Sequence, residues 1–267
     1  MERPAWAPAE LDLDRPNAAR MYDFYLGGSH NFAVDRELAG KVLEIWPDLP
    51  RAAQANRAFL RRAVRFLVAQ GVRQFLDIGS GIPTVGNVHE VAQEAAPDAR
   101  VVYVDLDPIA VTHSRAILAG DDLTVVVQSD GREPEALLAD PDLAGHLDLT
   151  RPVGLLMVAL LHFVPDERDP RGIIRRYAAL LPPGSWLVVS HGSPDGTAGT
   201  SLMEELYRRT PTPTQVRTKA ELVDLLGDVD LAAPGLVFLP AWRPDEDDDP
   251  DSDGRWSSTY GAVGRLG

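Results

Sequence analysis

From Gln74 onward the sequence alternates between two hydrophobic periodicities, and this limits the fold more than any other feature. Short aliphatic runs (Gln74–Ile78, Val101–Asp105, Thr124–Val127, Val153–Ala159 and Trp186–Ser190) are separated by helically spaced stretches near 86–96, 108–118, 133–139, 170–181 and 200–209. Strands that are apolar on both faces are buried on both faces, and helices between them impose parallel pairing with crossover connections. The expected fold is therefore α/β, a parallel sheet covered on each side. A helix over Lys219–Leu226 is followed by two strand-like runs, Gly235–Leu239 and Thr259–Val263, which read as a closing hairpin. Its tip carries Asp245-Glu246-Asp247-Asp248-Asp249-Pro250-Asp251, too charged to pack.

The lead before Gln74 has a different grammar. Residues 1–14 are rich in proline and acid and read as loosely ordered. From Asn17 the spacing of Met21, Phe24 and Tyr25 is helical, and Gly27-Gly28 ends the run. A second helix is expected over Asp35–Trp46. A third is expected from about Ala52 to Ala69, with Phe59, Ala63, Phe66 and Leu67 on one face and Gly71 closing it. This divides the chain into a helical N-terminal cap, residues 1–70, and an α/β domain, residues 71–267.

Charge narrows the function. Twenty-six basic residues face 40 acidic ones, a net charge of −14, which speaks against a nucleic-acid partner gripped by its phosphates. The absence of cysteine removes disulfides, thiol nucleophiles and thiolate metal sites, and fits a reducing compartment. The N-terminus lacks a signal-peptide pattern. The apolar run Val153–Leu161 is too short to span a bilayer. A cytoplasmic protein is expected, with no membrane partner.

The chemistry concentrates where the first strand ends, at Phe75-Leu76-Asp77-Ile78-Gly79-Ser80-Gly81-Ile82-Pro83-Thr84. In open α/β sheets ligands bind at the carboxyl ends of strands, and a glycine turn there lets a ligand approach the backbone. A third glycine, needed for a dinucleotide fingerprint, is missing. Asp77 would repel a pyrophosphate but suits a ligand bearing an ammonium and a sulfonium, which favours S-adenosylmethionine (SAM) over NAD. The second strand ends Val104-Asp105-Leu106-Asp107-Pro108, where an acid can hold a ribose diol. Either Asp105 or Asp107 fills that role, and Asp105 is favoured because it ends the apolar run. The third ends Gln128-Ser129-Asp130-Gly131, and Asp130 can accept from an adenine amino group.

These motifs resemble those of the class I SAM-dependent methyltransferases. More narrowly, the chain resembles the bacterial S-adenosyl methyltransferase family once catalogued as DUF574. That likeness rests on Ala18–Gly28, Asn31-Phe32-Ala33-Val34-Asp35, Asn56-Arg57-Ala58-Phe59-Leu60, Phe75–Thr84, Val102–Pro108, Leu161–Asp166, Pro234-Gly235, Trp242-Arg243-Pro244 and Tyr260–Val263, so nearly the whole chain. It implies a Rossmann-like seven-stranded sheet with the last strand antiparallel and a helical cap over the cofactor mouth. It implies SAM contacts at Asp77, Gly79, Gly81, Asp105 and Asp130. It names no methyl acceptor.

Acceptor-side candidates are fewer. His162 follows the fourth strand, and an imidazole there can serve as a general base; the competing reading is a scaffold histidine among Leu160, Leu161 and Phe163. His191, at the fifth strand tip, is the weaker candidate. Tyr22 and Tyr25 can close over SAM, an aromatic face being a cation–π partner for a sulfonium, or can merely dock the cap. Each acid has a local-capping alternative. The arginines of residues 57–65 read as a solvated helix face. Asp249-Pro250-Asp251-Ser252-Asp253-Gly254 matches the opening of a calcium loop, but Tyr260 stands where the closing glutamate belongs. No histidine pair has metal-ligand spacing, so no metal is expected. The expected activity is N- or O-methylation of a small molecule, with His162 and Tyr22 facing the acceptor. The competing functions are a SAM-binding sensor or accessory module without transferase activity, and an NAD-type oxidoreductase.

Overall fold

Five parallel strands form the centre: Gln74–Ile78 (β1), Arg100–Asp105 (β2), Thr124–Gln128 (β3), Gly154–Val158 (β4) and Trp186–Gly192 (β5). The computed structural model describes residues 15–83, 86–196, 200–207, 213–245 and 253–267. Residues 1–14, Thr84, the acidic tip from Glu246 on and the first four residues of the DxDxDG run lie outside the described residues. Asp230–Leu231 (β6), Val237–Phe238 (β7) and Thr259–Arg265 (β8) complete the sheet, in the order β3-β2-β1-β4-β5-β8-β6 with β7 also on β8.

Eight strands are thus present among the described residues where seven were expected. The seven-residue β8 runs antiparallel to β5 along its whole length. Its other edge is shared by two short strands, β6 pairing at Gly264–Arg265 and β7 at Tyr260–Gly261. Two-residue strands carry too little periodicity to be read from sequence. Their pairing blunts an edge that would otherwise stay open.

Helices begin where the caps say they should. Ala18–Tyr25 (α1) starts at Asn17, whose Oδ1 accepts from the backbone of Ala19 at 2.8 Å. Ala33–Ile45 (α2) opens with Asp35 accepting from the Phe32 N–H at 2.8 Å. Asp35 is fully buried and also takes the Arg20 guanidinium at 2.9 Å, which ties α1 to α2. Leu49–Ala69 (α3) is the longest helix, and Gly71, at φ +89°, turns the chain out of it. The remaining helices are Val88–Ala95 (α4), Pro108–Ile117 (α5), Pro134–Leu138 (α6), Pro141–His146 (α7), Pro170–Leu180 (α8), Thr200–Tyr207 (α9) and Lys219–Leu226 (α10). Helix α7 is too short to give a periodic signal in the sequence, although Asp140-Pro141 caps and starts it.

Two apolar clusters fill the sheet faces. On one side α3, α4 and α5 cover Phe75, Val101, Tyr103, Leu156 and Val188. On the other, α8 and α10 cover Leu76, Ile78, Val102, Val104, Leu155 and Leu187. A third cluster, Met21, Tyr25, Ala39, Val42, Ala53 and Tyr207, joins the helical lead to α9. Helix α3 belongs to two of these clusters.

The solvated arginine face expected over residues 57–65 is corrected here. Arg62 is buried and donates to the carbonyls of Leu239 (2.8 Å) and Trp242 (3.0 Å), and Arg57 lines a cavity. Only Arg65 of the group is exposed. Helix α3 is covered on two sides, so a long cation can reach inward carbonyls from a position flanking the apolar stripe.

Phe59 on α3 is fully buried and packs edge-on against Trp242 at 5.3 Å between ring centroids. Phe59→Ala is expected to cost about 3–5 kcal/mol and to lower the melting temperature by roughly 6–15 °C. Leu180→Ala, at an exposed position, should shift stability by no more than about 0.5 kcal/mol. Thermal unfolding followed by circular dichroism separates the two.

Candidate active site

Strand parity decides which side the acids face. Along β1, Leu76 and Ile78 enter the α8 side while Phe75 enters the α3 side, so Asp77 emerges toward α3. Asp105 follows Val101 and Tyr103 to the same side. The two carboxylates therefore leave adjacent strand tips beneath the N-terminal half of α3.

There they line a cavity of about 520 Å³, within the usual range for a small-molecule site. Asp77, Gly79, Gly81, Asp105, Asp107, Asp130, Tyr22, Tyr25 and His162, all singled out from sequence, border it, whereas His191 does not. Several buried polar atoms on its lining have no hydrogen-bond partner among the described residues, notably Trp46 Nε1, Arg57 Nε, Ser80 Oγ, Asp107 Oδ2, His162 Nδ1 and Thr214 Oγ1. Buried polar groups are normally satisfied, and several unpaired atoms on residues of one lining make this cavity the candidate ligand site.

The glycine turn is built by the backbone. Gly79 and Ser80 donate to the Val104 carbonyl at 2.8 and 3.1 Å. Gly79 sits at φ +70°, and a Cβ there would lie 2.6 Å from the Leu160 side chain, so both conformation and space require glycine. Gly81, at φ +64°, donates its N–H to Asp105 Oδ2 at 2.7 Å. The other Asp105 oxygen accepts from Asp107 N at 2.8 Å. Asp105 thus shapes the turn as well as facing the cavity.

The acids differ electrically. Asp77 is buried, and desolvation pushes its carboxyl up to about 7, against the opposing field of Arg57 and with help from Asp105. Burial also raises Asp105, although the backbone N–H groups of Asp107, Gly81 and Leu106 oppose it. Asp107, also on the lining, caps α5 through Oδ1 on the Ile109 N–H at 2.9 Å, while its Oδ2 is buried with no hydrogen-bond partner among the described residues. Asp130 is the contrary case. Arg132 donates to both its oxygens, at 2.8 and 2.5 Å, and holds it below the usual carboxylate range.

On the acceptor side, Tyr22 OH donates to the Ala53 carbonyl (3.2 Å) and accepts from Asn56 Nδ2 (3.0 Å). Arg57 already lies over its ring at 5.6 Å. Its hydroxyl is engaged in holding α1 to α3. Tyr25 OH is 3.5 Å from Tyr207 OH, and both phenols are buried and pushed up, Tyr207 to about 12.

His162 sits in a single turn, Leu161–Phe163, after a sharp corner at Ala159 (φ +54°). Burial and the Arg217 charge lower its imidazole to about 4, so it is neutral at physiological pH. Its loop is held from below. His191 donates from Nδ1 to the Gly192 carbonyl (2.7 Å), and its Nε2 accepts from Arg217 (2.9 Å). Arg217 also donates to the carbonyls of Leu161 (3.1 Å) and Val164 (2.9 Å). His191 is therefore a buried scaffold group, while His162 is the histidine that faces the cavity.

Asn56 and Arg57 are site residues that the strand-tip motifs do not announce. A signal exists all the same: Ala53, Asn56, Arg57 and Leu60 share one helix face by their spacing, and all four line the cavity.

The profile of a family described as S-adenosyl methyltransferase matches residues 4–267. Among solved structures, one from Thermobifida fusca YX is 40% identical over 98% of this chain and 99% of its own, with a TM-score of 0.92. A DUF574 family protein from Streptomyces avermitilis is also 40% identical, over 96% and 99% of the two chains, with a TM-score of 0.90. The pyocyanin biosynthetic protein PhzM shares the fold at 18% identity, covering 85% of this chain and 61% of its own, with a TM-score of 0.51. None of the curated proteins compared with the chain is a significant match.

The buried Asp77 carboxyl yields a stability prediction. Its folded-state value, about 7, lies above the ordinary aspartate value of 3.8, so the folded state holds the proton more tightly and stability falls as pH rises from about 4 to 7. Asp77→Asn cannot ionise. It should match wild type near pH 4 and exceed it by a few kcal/mol above pH 7, each tenfold difference in proton affinity being worth about 1.4 kcal/mol. Urea titrations across this range test it; a variant equally destabilised at both ends would refute it.

Proposed function

The chain belongs to the S-adenosyl methyltransferase family, and from that premise we propose that it methylates a nitrogen or oxygen of a small molecule bound beneath the helical lead. It is a SAM-dependent methyltransferase with an α/β sheet, and none of its described helices is long and apolar enough to cross a membrane. The observation that carries the finer reading is the single cavity lining shared by the strand-tip acids and His162.

The residues present fit the cofactor. Asp77 offers its carboxylate to the ammonium, the Gly79–Gly81 turn admits the ligand against backbone, and Asp105 offers an acceptor to the ribose, with the free Asp107 oxygen beside it. Asp130 and its neighbour Ser129 border the part assigned to adenine, Asp130 acting with Arg132 in place. Tyr25 packs where α1 meets α9 and helps close the mouth; residues 1–70 are read as the cap. When bound, SAM supplies an electrophilic methyl group whose leaving thioether is neutral. The chain then needs mainly to align the acceptor and keep water out, effects able to supply about 7–11 kcal/mol in well-oriented systems.

His162 fits an oxygen acceptor best. An oxygen nucleophile becomes strongly acidic as it is methylated, so even an imidazole lowered to about 4 can take its proton late in the displacement. Before that point the bare Nδ1 orients the hydroxyl by accepting its hydrogen bond. A neutral amine gains a stable ammonium and can lose the proton to water afterwards. Tyr22, with its hydroxyl engaged by Ala53 and Asn56, positions the cap over the acceptor. The acidic surface speaks against a nucleic-acid acceptor.

Calorimetric titration with SAM and with S-adenosylhomocysteine tests the cofactor site. Micromolar binding is expected, weakened at least tenfold in Asp105→Ala. Asp107→Asn retains a capping side chain and should lose a smaller factor. Because Asp77 ionises as it receives the ammonium beside Arg57, Asp105 and Tyr103, S-adenosylhomocysteine binding should release protons and tighten between pH 5.5 and 7.5. Absence of binding to wild type defeats the assignment.

Once an acceptor is found by methyl-labelled SAM, His162→Ala should lower kcat by about 10²–10⁴ for a hydroxyl acceptor. An unchanged kcat would leave His162 as scaffold.

A further inference from the structure

We propose that Arg57 receives the carboxylate of the cofactor's amino-acid end, so that Arg57 and Asp77 together form a charge-matched clamp for a zwitterion. The proposal rests on the SAM reading above and gives a role to a residue that reading leaves unused.

Three observations carry it. First, Arg57 lines the cavity, and its Nε is buried with no hydrogen-bond partner among the described residues. An arginine presents its donors as a rigid fork, suited to taking a carboxylate in two parallel hydrogen bonds. The residue is half-buried, so its charge is partly withdrawn from water, and an anion beside it offsets that cost.

Second, no acid among the described residues takes that place. The strand-tip carboxylate of Asp77 feels the Arg57 charge, yet no Arg57–Asp77 ion pair forms among the described residues, whereas Arg20 and Asp35 pair at 2.9 Å. Both groups line the same cavity and are not neutralised by direct contact with each other. A ligand carrying one cation and one anion on the same carbon satisfies both.

Third, the position is fixed. Arg57 lies next to Asn56, whose amide bridges Tyr22 OH at 3.0 Å and Ser190 Oγ at 2.6 Å. Ser190 Oγ in turn accepts from the Ala159 N–H at 2.8 Å. This run of hydrogen bonds locks the α3 backbone at residue 56 to the tips of β4 and β5. The Tyr22 ring, 5.6 Å beneath the guanidinium, supports it from the cap. A preorganised arginine loses little freedom on binding.

Matched ligands test the assignment. SAM and its decarboxylated derivative differ only in the carboxylate, so the ratio of their dissociation constants isolates that group. Wild type should bind SAM about 10- to 100-fold more tightly, the range expected for a charge-assisted pair. In Arg57→Gln that ratio should fall to about one, through loss of SAM affinity, while the decarboxylated compound keeps its affinity within about threefold. Arg57→Lys, which keeps the charge but not the fork, should show an intermediate ratio. Thermal melting confirms that each variant is folded.

If Arg57→Gln weakens both ligands equally and the ratio survives, Arg57 acts only through the Asp77 field and the proposal is overturned. A wild-type ratio near one overturns it as well. Should SAM fail to bind wild type at all, the cofactor reading itself falls, an outcome distinct from either.

Discussion

A parallel sheet buried on both faces accepts no charge along its strands, and the rest of this structure depends on that constraint. Ionisable groups are confined to the strand ends, and strand parity then selects the face on which they emerge. Phe75, Val101 and Tyr103 pack under α3 and α4, so Asp77 and Asp105, two residues beyond Phe75 and Tyr103, must appear on that side. Helix α3 is long enough to serve two purposes there. Its Phe59–Val68 half fills the core, and its first half forms a wall over the strand tips.

The arrangement holds its charges at a cost. Asp77 and Asp105 are both pushed up by burial, whereas Asp130, paired with Arg132, is held down. Asp105 recovers part of its cost through backbone donors from Gly81 and Asp107. Asp77 has only the field of Arg57 as a named favourable influence. The site is thus least satisfied at one end of the cavity and best satisfied near Asp130. Stability given up at such positions is what a ligand of complementary charge restores on binding. The Ala159 corner fits the same pattern. Its left-handed backbone is disfavoured for a side-chain-bearing residue, and Ser190 holds it through the hydroxyl and the carbonyl, at 2.8 and 3.2 Å.

Much of this is legible in the sequence because it depends on local periodicity. The five parallel strands, the glycine turn and the three strand-tip acids follow from aliphatic runs ending in aspartate, and helix limits follow from caps such as Asn17 and Asp107. What is not legible is non-local. Arg62 reads as solvated because its carbonyl partners, Leu239 and Trp242, lie some 180 residues away. Asn56 and Arg57 look like ordinary helix polar residues until α3 is laid across β1 and β5. Strands β6 and β7 exist only as pairings to β8. The difference between the two histidines has the same cause. His191 is satisfied at both ring nitrogens, by Gly192 and Arg217, while His162 Nδ1 is left bare, and nothing in either residue's immediate sequence separates them.

The low basicity of His162 is consistent with transfer to an oxygen. A group already basic enough to deprotonate a hydroxyl at rest would be an imidazolium for part of the time near neutral pH, and that cation would sit beside a sulfonium. Like charges in a desolvated cavity disfavour one another strongly. Burial and Arg217 keep the imidazole neutral, so it and the cofactor can occupy the same cavity. On the proposed transfer to oxygen, the methylated oxygen would be far more acidic than the resting hydroxyl, and a weakly basic imidazole would suffice to take its proton. Proton transfer is thereby favourable only after the new bond has begun to form. Arg217, anchored to Leu161, Val164 and His191, holds the loop in place and, with burial, lowers the basicity of His162.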